Sequence, residues 1–213
     1  IGLKALKIVK TLRPNTKIYL YGSDTKKPVD FEAERLGIIP IDKCNELYNR
    51  CKLGFCISAS NPSRIPFEMM AAGLPVVEIY KENNLYDFPE GGVVLAEPSP
   101  EAIATAIIDL LGNEKKLKEM SKIGKEYMKD YPLEKGFEQF VKAVNNLFDK
   151  DANIDTKIDL SYTKQPIVAK TEIINKSNEM FKGTNLIASG GSRRRKLRRA
   201  KRKCKNIIQG LCG

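Results

Sequence analysis

The most constraining stretch of this sequence is residues 53–79, LGFCISASNPSRIPFEMMAAGLPVVEI. Leu53, Phe55 and Ile57 alternate with small residues, the pattern of a strand, and the chain turns polar over residues 58–64. Pro66 suits the first turn of a helix, where its missing N–H would have no partner in any case. Phe67, Met70 and Ala71 then fall on one face, Gly73 ends the helix, and Pro75 blocks its continuation. Val76, Val77 and Ile79 read as the next buried strand. A loop running into a helix N-terminus at the carboxyl end of a strand is where α/β proteins hold phosphates. The spacing puts Glu68 in the first turn of that helix, within reach of a hydroxyl next to such a phosphate. Ordinary turn chemistry accounts for Ser-Asn-Pro-Ser taken alone. The order of the parts says more: small residues Ala71, Ala72 and Gly73 bring the helix close to the sheet, and a glutamate is costly at so buried a location.

The rest of the chain is built around this unit. Residues 1–12 place Leu3, Leu6, Ile8, Val9 and Leu12 at mostly helical spacing, and residues 17–21 read as a strand ending in Gly22 and Ser23. A short strand reaching Ile39 follows, then a helix over 43–51 with Asp42 as its cap. Residues 80–91 read as a polar loop and 92–96 as a strand. Ser99 and Pro100 mark a helix start, with an apolar face running to Gly112. Helices over 114–131 and 133–148 come next, the second expected to bury Phe137, Phe140, Val141, Val144 and Leu147. This alternation predicts an α/β fold, a Rossmann-like parallel sheet wrapped by helices, over residues 1–148. Residues 149–192 lose the pattern and read as a polar, weakly structured linker whose end, 188–192, has flexible Ser/Gly composition. Residues 193–213 form a basic tail.

Composition narrows the chemistry. Histidine is absent, which removes His-based acid–base catalysis and His metal ligands from these 213 residues. The five cysteines include no Cys-x-x-Cys pair, so Cys44, Cys51 and Cys56 read as small apolar residues of a protein in a reducing cytoplasm. No apolar run is long enough to span a membrane and no signal peptide is visible. Opening at Ile1 within helical periodicity, the sequence reads as a fragment. The net charge of +11 is uneven: thirteen residues beginning at Arg193 and ending at Lys205 carry ten Lys/Arg, and without them 27 basic residues face 26 acidic ones, a net of +1. Such a run suits an anionic membrane surface, a nucleic-acid backbone, or a solvated linker. No aromatic residue interrupts it, so base stacking is unavailable.

The segment IPFEMMAAGLPVV, residues 65–77, resembles the donor-binding segment of GT-B glycosyltransferases of the retaining family 4 type. There the motif reads roughly S…E-x-x-x-x-x-x-x-E-A-M-A-x-G-x-P-V-V. Glu68 falls on the second glutamate, whereas the first would fall at Ser60, so the first half of the motif is absent. Within the family the likeness is greatest to rhamnosyltransferases of bacterial surface-glycan synthesis. The resemblance covers residues 1–148 and implies the donor-binding half of a two-domain transferase acting on a nucleotide-sugar donor and a glycan or lipid-linked acceptor. It implies that Glu68 holds the ribose diol. The loop and helix start, Ser60, Asn61, Ser63, Arg64, Ile65, Pro66 and Phe67, would face the diphosphate, and Gly22, Ser23 and Ile41 would lie towards the base. Neither cofactor nor metal is implied. Positive groups stabilising the leaving diphosphate would supply catalysis, from a basic pair upstream of Ile1, with the acceptor on an amino-terminal domain. No catalytic residue is assigned within the chain. The location implied is cytoplasmic, peripheral at the inner membrane face. Two alternatives stand beside this reading: a nucleotide-sugar epimerase, and a non-catalytic Rossmann-like module delivering the basic tail to a membrane or nucleic acid.

Overall fold

The computed structural model describes residues 1–23, 28–59, 63–148 and 159–182. In chain order the elements are α1 (Gly2–Leu12), β1 (Tyr19–Tyr21), β2 (Glu34–Gly37), α2 (Ile41–Arg50), β3 (Gly54–Phe55), α3 (Arg64–Ala71), β4 (Val76–Ile79), α4 (Glu82–Asp87), β5 (Val93–Ala96), α5 (Pro100–Leu111), α6 (Glu114–Met128), α7 (Leu133–Phe148) and α8 (Thr171–Met180). Every strand pair is parallel, and helices flank the strands. The fold is therefore Rossmann-like α/β. The strands form two separate sheets, β1–β2 and β3–β4–β5, with no ladder joining β1 to β3.

The core lies around β4, whose four residues are all buried. α5 packs on α1 and against β4 and β5. It buries Ile103, Ala106, Ile107 and Leu110, and it starts as its sequence dictates, with Ser99 Oγ accepting from Ala102 N at 3.1 Å and Pro100 in the first turn. On the other side of the sheet, α3 buries Met69 and Met70 rather than Ala71, which is exposed. Gly73, at φ +80°, closes α3: Leu74 N donates to Met69 O, and the left-handed turn aims Pro75 into β4.

Several expectations need correction. Asp42 is not a cap; α2 begins two residues earlier than expected, Pro40 occupies the cap position, and Asp42 lies in the first turn, where its charge favours the helix dipole. Residues 82–87 form a short helix where a loop was expected, anchored by buried Asn84, whose amide donates to Ile79 O at 2.8 Å. α1 buries Ala5, Ile8 and Val9 but leaves Leu3 and Leu12 exposed. α7 has the expected bounds but the wrong environment. Phe137, Phe140, Val141 and Leu147 are exposed, Phe137 by 62% and Phe140 by 66%, while Val144 is half-buried. A 3.6-residue apolar period specifies a face, not a partner for it. Replacing Phe137 and Phe140 together with serine is expected to change unfolding free energy in urea by less than about 1 kcal/mol, against about 3–5 kcal/mol for each phenylalanine lost from a packed core.

The expected linker is also revised. Residues 1–177 form one compact unit. Within it, the segment after residue 158 returns to the sheet edge. Ile167 N donates to Leu95 O at 2.9 Å and Glu97 N to Ile167 O at 3.0 Å, while buried Tyr162 accepts at its hydroxyl from Leu95 N at 3.3 Å. Ser177 Oγ then donates to Glu101 Oε1 at 2.6 Å. Backbone bonds and single anchors hold this strap, which is why no apolar periodicity announces it. The basic tail, the 188–192 segment, Ser60 and Asn61 lie outside the described residues. Among the described residues, no helix is long and apolar enough to cross a membrane.

Candidate functional site

The loop from β3 to α3 is held at its base by a buried carboxylate. Glu78, in the middle of the VVEI strand, is fully buried. Its Oε1 accepts from Ser58 N and from its own neighbour Ile79 N, both at 2.8 Å, and its Oε2 accepts from Ser58 Oγ at 2.7 Å. Three donors meet the needs of a carboxylate removed from water. Lys81 Nζ donates to Ala59 O at 2.7 Å, a second tie from the end of β4 to the same loop. Sequence reading did not single out Glu78. A charged residue inside an otherwise apolar strand is the one local signal that could have found it.

At the other end of the loop, Ser63 caps α3, its Oγ accepting from Ile65 N at 3.3 Å. Helix α3 therefore begins at Arg64, which puts Glu68 fifth in the helix, one turn in, rather than in the first turn as expected. Pro66 lies within the first turn and is buried, and Phe67 packs on the buried Phe88 ring at 5.2 Å between centroids. Of the loop-and-helix residues implied as diphosphate contacts, Ser63, Arg64, Ile65, Pro66 and Phe67 are thus brought together at one helix start.

Glu68 stands at the meeting of three elements. Its side chain is 43% exposed, Oε1 lies 3.8 Å from the Arg64 guanidinium, and Oε2 lies 3.5 Å from the Tyr48 hydroxyl of α2. The Tyr48 hydroxyl is in turn 2.8 Å from that of Tyr21 at the end of β1. This relay links Glu68 to the turn that follows β1, where Gly22 adopts φ +86° and donates its N–H to Gly37 O at 2.7 Å. Gly22 and Ser23 are exposed there. Ile41 opens α2 and is 86% exposed, two turns before Tyr48 on the same helix. Among the described residues, no hydrogen bond, ion pair or ring contact joins it to the Glu68 group.

Burial raises the Tyr21 phenol above its ordinary value. Burial and the bond from Tyr21 raise Tyr48 further. Both stay protonated through neutral pH and keep the relay hydrogen-bonded. An unfolded tyrosine loses its proton near pH 10, so above that the unfolded chain binds fewer protons than the fold, and stability falls as pH rises from about 10. Phenolate absorbance is expected to show these two titrating after the exposed tyrosines, with Tyr48→Phe removing one late step. Burial likewise pushes the Cys56 thiol up, in keeping with a packing role.

Among the described residues, no group of three His, Cys, Asp or Glu is placed to hold a metal ion. Comparison with known proteins gives three findings. The chain is similar to the O-antigen biosynthesis protein RfbC of Myxococcus xanthus, 29% identical over 119 residues, which is 53% of this chain and 9% of that protein. It also resembles a crystal structure whose description names a UDP-N-acetylglucosamine 2-epimerase of Listeria monocytogenes, at TM-score 0.46 and 14% identity, covering 74% of this chain and 42% of that one. The chain thus spans a small part of its curated relative and under half of its structural one. The family described as WsaF, C-terminal domain, matches residues 1–108, which include all of the β1-to-β5 unit and the Glu68 site. This chain belongs to that family, and carries a glycosyltransferase-type carboxyl-terminal domain.

Proposed function

We propose that residues 1–177 are the donor-binding half of a GT-B glycosyltransferase of the retaining family 4 type, taking a nucleoside-diphosphate sugar. The observation that carries this reading is Glu68: a half-exposed carboxylate one turn into a helix, beside Arg64, at the carboxyl ends of parallel strands. A ribose diol needs a bidentate acceptor, and the two oxygens of Glu68 have only long contacts, 3.5 and 3.8 Å, to give up for one. The start of α3 offers the positive end of a helix dipole to a diphosphate, and Arg64, 92% exposed at its side chain, can swing onto it. The turn at Gly22 and Ser23, with Ile41 beyond, faces the base. The leaving diphosphate carries the charge that develops during transfer, so positive groups around it lower the barrier. No metal enters this scheme. The unit transferred is a hexosyl or rhamnosyl group and the acceptor a glycan or lipid-linked glycan; the O-antigen biosynthesis relative supports the glycan acceptor.

Titration with UDP and with dTDP, followed by amide chemical shifts, tests the site directly. The reading expects shifts at Arg64, Ile65, Phe67, Glu68 and Gly22. Absence of any shift there at millimolar ligand would contradict it.

A further inference from the structure

The two oxygens of Glu68 have different surroundings. Oε1 faces the guanidinium of the exposed Arg64 at 3.8 Å. Oε2 faces the Tyr48 hydroxyl at 3.5 Å. Tyr48 is buried, with its ring among Met69, Met70 and Leu74 of the core. A second hydroxyl backs it: Tyr21 Oη lies 2.8 Å away, and the two rings meet edge to face at 6.1 Å between centroids. One side of the carboxylate is therefore a solvated cation on a long side chain, and the other is a hydroxyl fixed by packed rings. A carboxylate only accepts, and a phenol has one hydrogen to donate. Tyr48 thus donates to Glu68 and takes its own bond from Tyr21. A hydroxyl bonds a carboxylate best at about 2.5–2.7 Å, so across 3.5 Å the Tyr48 hydrogen is only weakly engaged. An oxygen lying within reach of both atoms would accept from Tyr48 and donate to Oε2. Burial raises both phenols above their ordinary value, which keeps that hydrogen in place at neutral pH.

We propose that Tyr48 is a specificity-determining residue of the donor site. With Glu68 Oε2 it clamps one hydroxyl of the ribose diol as both donor and acceptor, while the other hydroxyl meets Oε1 alone, beside the solvated Arg64. The proposal rests on the reading of Glu68 as the diol acceptor. It makes the two hydroxyls unequal. A ligand without the hydroxyl on the Oε1 side loses one bond at a place that water can fill. A ligand without the hydroxyl on the Tyr48 side leaves a buried phenol with no good acceptor for its hydrogen. A site built to hydrogen-bond a hydroxyl discriminates against the analogue that lacks it, because its own polar groups are then left unpaired. The preferred ligand is a nucleoside diphosphate whose sugar keeps the clamped hydroxyl.

Titration of UDP, 2′-deoxy-UDP and 3′-deoxy-UDP into the 213-residue chain and into Tyr48→Phe tests this, with melting temperatures recorded on the same samples. The native chain is expected to bind UDP most tightly and to separate the two deoxy analogues by roughly tenfold, the scale of one net hydrogen bond. Phenylalanine keeps the ring and removes the hydroxyl, so the variant should bind the two analogues alike. UDP should lose roughly tenfold in affinity for the variant, whereas the analogue missing the clamped hydroxyl should lose nothing. Equal binding of the two analogues by the native chain overturns the proposal, even if Tyr48→Phe does not fold. A variant that weakens all three ligands by the same factor also overturns it, since Tyr48 would then act through packing alone. So does a variant that keeps the native separation. UDP that binds while the analogues are not separated removes only the role of Tyr48; a native chain that does not bind UDP at all overturns the donor-site reading and this proposal together.

Discussion

Replacing Glu78 with alanine is expected to lower the melting temperature by on the order of 10 °C. The substitution strands three donors, Ser58 N, Ser58 Oγ and Ile79 N, in a site closed to water. Each buried donor left without an acceptor costs about 1–3 kcal/mol, and a domain of this length loses roughly 2–4 °C per kcal/mol. Glutamine is the informative companion. With its carbonyl oxygen in the place of Oε1 it keeps both backbone bonds, and its amide can donate to Ser58 Oγ, so Glu78→Gln should recover most of the loss. Equal damage by both variants would mean that charge, not hydrogen-bond geometry, secures the loop. A melting temperature unchanged by alanine would show that the loop does not depend on Glu78. The consequence reaches the site, since Ser58 is where the polypeptide leaves β3 for the loop that ends in the Ser63 cap.

The parts of this fold written in local chemistry were legible in the sequence. Ser99 and Pro100 announce α5, Val76, Val77 and Ile79 announce β4, and the residues around Glu68 announce the strand–loop–helix order that carries the candidate site. What escaped depends on long-range geometry. Tyr21 and Tyr48 meet across 27 positions, and neither residue carries a sign that its hydroxyl will find the other. Glu78 stays hidden because an apolar run with one charge reads as a strand whatever that charge is bonded to. The 3.6-residue period of α7 suggests burial, yet its phenylalanines face solvent, since amphipathic spacing describes one surface and not its complement. The strap through Tyr162 and Ile167 was hidden because two anchors and a few backbone bonds leave no period at all. The division of the strands into two sheets could not be foreseen, because pairing order is a property of topology rather than of any one segment.

The second large effect concerns Glu68, and there stability and function are expected to separate. Its contacts to Arg64 and Tyr48 are long and its side chain is 43% exposed, so removing its charge should leave the fold almost untouched. A diol bound by the carboxylate would instead lose a charge-assisted hydrogen bond, about 1.5–3 kcal/mol, or roughly one to two decades of affinity. Arg64→Ala should weaken binding in the same direction by less, because an exposed guanidinium meets a diphosphate partly screened by solvent. The decisive measurement is calorimetric titration of UDP and dTDP into the native chain and Glu68→Gln, with melting temperatures recorded on the same samples. An affinity loss of about 10- to 100-fold at a nearly unchanged melting temperature is the predicted result. Unchanged affinity together with a large drop in melting temperature would make Glu68 a structural carboxylate and contradict the donor-site account.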